Sequence, residues 1–316
     1  MVNPCHQMKF TTSGICFCSG LTCLMGSVRL TKTLHWRIRQ NAGGGHLSSP
    51  ITNPFHLSVK KGGAMEDGNY KQQVRGTQEQ ITNRERLYSL YENAPIPTDQ
   101  MLLNLPLFMR SSLVAKLLHF NEAYSRIISL PGAIMEFGVW WGQNLALFEN
   151  LRAVHEPYNH ARRIVGFDTF EGYPEPSDKD IKSETLTVGG YTVSENYEDY
   201  LKEILACHEN ENVMSQIKKT SLVKGDASES IQTYLKEHPE TVVAMACFDM
   251  ALFEPTRDVL RALMPHFIKG TVLVFDEFYS EEFPGETLAI RETLGTSTHR
   301  IERSAFLPDR AYLTIE

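Results

Sequence analysis

Five apolar runs from residue 134 onward each lead to a carboxylate. "IMEFG" brings Glu136 to Gly138, and "IVGFDTFEG" delivers Asp168. "VKGDASES" delivers Gly225 and Asp226, "ACFDMALFEPT" delivers Asp249, and "LVFDEFYS" delivers Asp276 and Glu277. A single acid after an apolar run says little, since it commonly caps a helix or faces solvent. Five gathered on one edge of a sheet repel one another, and something must offset that cost. Cations, hydroxyl donors and metals are the available partners.

The first turn, "EFGVWWGQN", departs from the G-x-G-x-x-G fingerprint of a pyrophosphate site. A carboxylate at that point would repel phosphate. It suits a ligand with ammonium or sulfonium charge, and S-adenosylmethionine carries both. Asp168 then stands where an acid accepts hydrogen bonds from a ribose diol. Asp226 either meets an adenine amino group or caps the helix that follows it. Asp249, Asp276 and Glu277 come from neighbouring strand ends and suit a hard divalent cation such as Mg²⁺, unless the last two simply hold a loop. Such a metal would activate a substrate hydroxyl, and Asp249 could take its proton.

Alternating strands and helices must position these groups. The apolar runs place strands at Ala133–Phe137, Arg163–Phe167, Ser221–Val223, Val242–Phe248, Thr271–Phe275, Arg300–Ser304 and Tyr312–Ile315. Helical patterns fall at Gln143–His155, Glu198–His208, Ser228–Glu237, Pro255–His266 and Glu286–Leu294. That order implies an α/β fold with a mostly parallel sheet covered on both faces. The short link between the last two strands predicts an antiparallel pair. Ligands in such sheets bind beyond the carboxyl ends of the strands.

Upstream, "NRERLYSLYENAP" reads as a short helix stopped by Pro95 and Pro97. In "RSSLVAKLLHFNEAYSRIISL", Leu113, Leu117, Phe120, Tyr124 and Ile127 share one helix face, with His119 as a surface or packing residue. Residues 66–130 thus form a helical N-terminal cap, with helices that cover the domain or pair with a second copy. Residues 1–65 lack Asp and Glu, carry +7, and include "NAGGGHLSSPITNP". They read as a disordered extension outside the fold. The segment resembles a weak signal or transit peptide, or else precedes a true start at Met65. The expectation is cytoplasmic, or organellar if the segment is a genuine transit peptide.

The whole chain carries −7, which leaves −14 on residues 66–316. An acidic body argues against nucleic acid as partner. No apolar run approaches the length of a membrane span. Four of the six cysteines fall in the first 23 residues, so no disulfide framework is expected in the body.

The long insert after Asp168, "EGYPEPSDKDIKSETLTVGGYTVSENYEDY", reads as a solvated loop or as a lid hinged at Gly189–Gly190, near Thr185, Thr187, Tyr191 and Thr192. Of Trp140 and Trp141, one is expected in the core and the other on the ligand pocket. His155, His160 and His266 read as surface or packing residues.

The segments "MEFGVWWGQNLALF", "IVGFDTFEGYPEP", "VKGDASESI", "FDMALFEPTRDVLRALMPHFIKG", "VLVFDEFY" and "FPGETLAI" together resemble the macrocin and mycinamicin O-methyltransferase family over residues 130–295. The resemblance implies a Rossmann-like class I methyltransferase domain over 131–316, with seven strands, the last antiparallel. It implies methylation of a hydroxyl on a deoxysugar, glycan or natural product, with S-adenosylmethionine as donor and Mg²⁺ as a second cofactor. The donor-binding set becomes Glu136, Phe137, Gly138, Asp168, Thr169, Gly225 and Asp226. The metal set becomes Asp249, Asp276 and Glu277, with Asp249 as catalytic base. Two positions depart from the family pattern: Ala251 replaces its second acid, and Phe253 replaces its tyrosine. Glu277 also stands where the family has aspartate. These departures keep open a donor-binding protein with altered or lost catalysis. A nicotinamide-dependent dehydrogenase fits poorly, because the glycine fingerprint is missing.

Overall fold

The computed structural model describes residues 76–181 and 186–316. The expected disordered extension, 1–65, and Thr185 of the insert lie outside them. All described residues fall within one unit, Gly62–Glu316.

Seven strands form one sheet. They are β1 (Ala133–Phe137), β2 (Ile164–Asp168), β3 (Thr220–Lys224), β4 (Val243–Phe248), β5 (Phe267–Phe275), β6 (Arg300–Arg303) and β7 (Ala311–Thr314). Their order across the sheet is β3-β2-β1-β4-β5-β7-β6. β1 to β5 run parallel, while β7 is antiparallel to both neighbours, as expected for the last strand. The order reverses between β1 and β4, and such a switch point opens a crevice at the carboxyl ends of the strands.

Alternation along the strands sends side chains to two helical layers. Ile134, Ile164, Ala244 and Val272 face α3 (Ser111–Ile127), α4 (Gln143–His155) and α5 (Tyr197–Glu211). Met135, Phe137, Val165 and Leu273 face α6 (Ala227–Glu237), α7 (Phe253–Leu263) and α8 (Gly285–Thr293). β1 and β4 are buried along their whole lengths, which explains why they read as unbroken apolar runs.

The expected boundaries hold to within one to three residues, except at β5 and at the helix ending near His266. β5 begins at Phe267 rather than Thr271, because its first half is only partly buried and Gly270 turns at φ +92°. The helix ends at Leu263, and Met264–His266 forms a separate 3-10 turn.

The first helix runs Gln78–Glu92, opens on a capping box at Thr77 and buries no residue. It starts five residues before the expected stretch. A short helix, Thr98–Met101, and a 3-10 turn, Leu102–Phe108, follow it. α3 behaves differently, burying Phe120, Ala123, Tyr124 and Ile127 against the sheet. Arg162 fixes the end of α3, bonding the carbonyls of Ile127, Leu130 and Gly132 while pairing with Glu156 at 2.9 Å. Among the described residues no single helix is long and apolar enough to cross a membrane.

Candidate functional site

A cavity of about 770 Å³ opens at the switch point, within the size range of small-molecule sites. Gly138, Asp168, Thr169, Gly225, Asp226, Asp249, Asp276 and Glu277 all line it. The acids that follow the strands therefore converge as the sequence suggested.

Asp168 organises the first turn. Its Oδ2 accepts from the backbone N–H of Val139 at 2.5 Å and of Trp140 at 2.8 Å, and its Oδ1 accepts from Phe170 N–H at 2.6 Å. The acid that closes β2 thus shapes the loop after β1, and its remaining acceptor capacity is open to a diol. Asp226 caps α6 through Ser228 N–H at 2.8 Å and also stands on the cavity wall. Both of its expected roles remain compatible with that position.

Glu136 and Phe137 are placed otherwise. Phe137 stacks between Phe167 and Phe248, inside the core. Glu136 is fully buried and absent from the cavity wall. Its Oε1 accepts from Asn144 at 2.7 Å, while its Oε2 and the Asn144 Oδ1 lack partners. Burial pushes its carboxyl well above the ordinary range, and Asp249 and Asp168 add to that rise. Glu136 therefore lies behind the turn, away from the cavity, where burial disfavours its charged form. Side chains of β1 alternate between faces, and this one turns toward α3 and α4.

Asp249 follows β4, and burial, with Asp276 beside it, lifts its carboxyl to about 7. The same two causes lift Glu277 to about 8. Asp276 itself is held by Arg310, whose Nε and Nη2 reach its two oxygens at 2.5 and 2.6 Å. Arg310 arrives from the loop between β6 and β7, and Lys116 of α3 is the other cation on the wall. Neither was singled out from the sequence, because each comes from an element far from the acids in the chain.

Glu286 at the start of α8 was also missed. It is fully buried, and Oε1 accepts from Met250 N–H at 3.3 Å and Ala251 N–H at 3.2 Å. Its Oε2 accepts from Glu277 N–H at 3.1 Å. One carboxyl thereby ties the loops after β4 and β5 together. The motif "FPGETLAI" held this residue, but nothing in its spacing marks a buried acid.

Tyr173, Pro174 and Tyr191 of the insert after Asp168 line the cavity. Tyr173 and Gly189–Gly190 exchange backbone hydrogen bonds at 2.9 Å, so the expected hinge glycines are pinned. Asp180 is buried and accepts from Phe253 N–H at 2.8 Å. Leu186 packs with Ala251, Leu252 and Phe283. The solvated-loop alternative does not describe these contacts. Tyr173 and Tyr191, 5.3 Å apart between ring centroids, form an aromatic wall with Trp140. Trp141 packs against Tyr197 and does not line the cavity, but both indoles are only partly buried, so neither is the core residue that the sequence suggested. His119 proves a packing residue, fully buried beside Ser304 and Tyr312, and burial holds it down to about 3.

These residues fit S-adenosylmethionine. The Trp140 Nε1 is buried without a partner, acids face the space a cationic ligand would fill, and Gly138 leaves no β-carbon against the Asp249 backbone. They do not fit a resident Mg²⁺ ion. Each Asp276 oxygen accepts from the Arg310 guanidinium, whose charge opposes a second cation, and with that pairing in place no group of three His, Cys, Asp or Glu among the described residues is set to hold a metal.

A family model described as macrocin-O-methyltransferase (TylF) matches residues 109–291. The comparison with curated proteins found no match. Among solved structures, the calicheamicin methyltransferase CalS11 is 40% identical with a TM-score of 0.74, over 78% of this chain and 98% of that one. An apo structure of CalS11, described as a TDP-rhamnose 3'-O-methyltransferase, is 39% identical with a TM-score of 0.68, over 76% of this chain and 96% of that one. With its cavity at the β1/β4 switch point and more than half its length under the family model, the chain belongs to the TylF macrocin-O-methyltransferase family of S-adenosylmethionine-dependent O-methyltransferases.

Proposed function

We propose that the acceptor is a hydroxyl of a deoxysugar, presented as a nucleotide sugar or as part of a natural product or glycan. Support comes from CalS11, whose description names a TDP-rhamnose 3'-hydroxyl as its target. The cavity also pairs an aromatic wall with acids, which suits the apolar face and the hydroxyl rim of a sugar ring.

The observation that carries the catalytic part is Asp249. A carboxyl raised to about 7 is matched to taking a proton near neutral pH. When bound, S-adenosylmethionine supplies an electrophilic methyl group and leaves as a neutral thioether. Asp249 accepts the proton that the acceptor hydroxyl gives up as its oxygen takes the methyl carbon. Tyr173, Tyr191 and the pinned insert hold acceptor and donor in line and limit water, the main contribution a protein makes to such a transfer. The expected Mg²⁺ enters no step of this reading.

The test is methyl transfer from labelled donor to a panel of TDP-deoxysugars. Wild type should give an O-methyl ether, and Asp249→Asn should bind S-adenosylhomocysteine normally yet give no product. Undiminished product from Asp249→Asn would remove the base assignment. Donor binding without transfer to any sugar or hydroxyl compound would instead favour the non-catalytic alternative raised by Ala251 and Phe253.

A further inference from the structure

The resemblance implied a divalent cation among Asp249, Asp276 and Glu277, yet the structure places a guanidinium there. Arg310 grips Asp276 through two parallel N–H···O bonds, and its Nη1 also reaches Asp309 at 3.1 Å. The arginine side chain is 17% exposed and that of Asp276 12%, so the pair is shielded from solvent. A planar fork matched to a carboxylate takes up a lone pair on each oxygen and sets a fixed positive charge against any second cation that would share them. Mg²⁺ demands near-octahedral oxygen coordination, and here the second acid of the family pattern is Ala251.

We propose that Arg310 is the resident cation of this site, standing where a divalent ion would otherwise sit and offsetting the charge of Asp276. It is a positioning residue, since it acts on the cleft through Asp276 and leaves Asp249 to meet the acceptor. The role rests on the methyl-transfer reading above. The test needs no acceptor, and its failure is separable from failure of that reading.

Mn²⁺ serves as the probe, its free concentration followed by electron paramagnetic resonance during titration of the full chain. Wild type should show no saturable binding at micromolar concentrations. Arg310→Gln frees Asp276 to turn toward Asp249 and Glu277, and should gain a saturable site at least about tenfold tighter than any residual wild-type binding. Adding Asp276→Asn to that variant should abolish the gain. Micromolar Mn²⁺ binding by wild type, or no gain in a folded Arg310→Gln, overturns the proposal. Should Arg310→Gln not fold by circular dichroism, Arg310→Lys replaces the fork with a single ammonium, and must show a smaller gain of the same kind. Calorimetry with S-adenosylhomocysteine on the same samples reports the donor site independently: no donor binding would sink the methyl-transfer reading and leave the Mn²⁺ result standing.

Discussion

The carbonyl oxygen of Asp249 stands 2.1 Å from the position that a β-carbon on Gly138 would occupy. Gly138 also turns at φ +89°. The loop that shapes the donor site and the loop that carries the base therefore touch backbone to backbone. Gly138→Ala should force them apart and lower stability by about 2–5 kcal/mol, from left-handed strain plus overpacking. Urea denaturation measures this, and a wild-type midpoint would show that the loops can yield.

Glu286→Ala should be more disruptive than its distance from any ligand suggests. It strands three backbone N–H groups, those of Met250, Ala251 and Glu277. A loss of about 3 kcal/mol or more is expected in denaturant titrations. An unaffected midpoint would mean that water replaces the carboxyl without cost.

Asp168→Ala should cut affinity for S-adenosylhomocysteine by at least about thirtyfold, since charge-assisted bonds are worth about 1.5–3 kcal/mol each. The loss has two sources: the ribose contact, and the turn at Val139 and Trp140 that the carboxylate holds. Titration calorimetry decides, and equal affinity would contradict the site.

The pH dependence of stability should report Glu136. Its folded carboxyl is raised well above 4.5 by burial, so between 4.5 and the folded value the folded state holds a proton that the unfolded chain releases. This contribution is full below about pH 4.5 and is lost as pH rises through the folded value. Glu136→Gln cannot titrate and should flatten that decline in the ligand-free protein. Parallel wild-type and variant curves from pH 5 to 9 would show that Glu136 is ionised after all.

The strands and the acids after them were legible because β1, β4 and the second half of β5 are buried on both faces, leaving polar residues only where each strand stops. What the sequence hid arrives from elsewhere. Arg310 follows a β6–β7 loop with no apolar pattern, Lys116 sits on a helix that reads as a cap, and Glu286 looks like any first-turn acid of a helix. Glu136 misled for a different reason. Type and spacing show an acid at the end of β1, but its inward orientation depends on strand phase and on Asn144, eight residues later. The crowding argument was sound in requiring compensation; a guanidinium, rather than a divalent ion, is what the chain itself provides.

Trp140 shares the cavity wall with Tyr173 and Tyr191, whereas Trp141 is packed away against Tyr197. Of the two tryptophans among the described residues, this indole is the one set to feel a ligand arrive. The protein thus comes with its own optical reporter: quenching or a spectral shift of its intrinsic emission would let unlabelled compounds be screened for occupancy before any product is known.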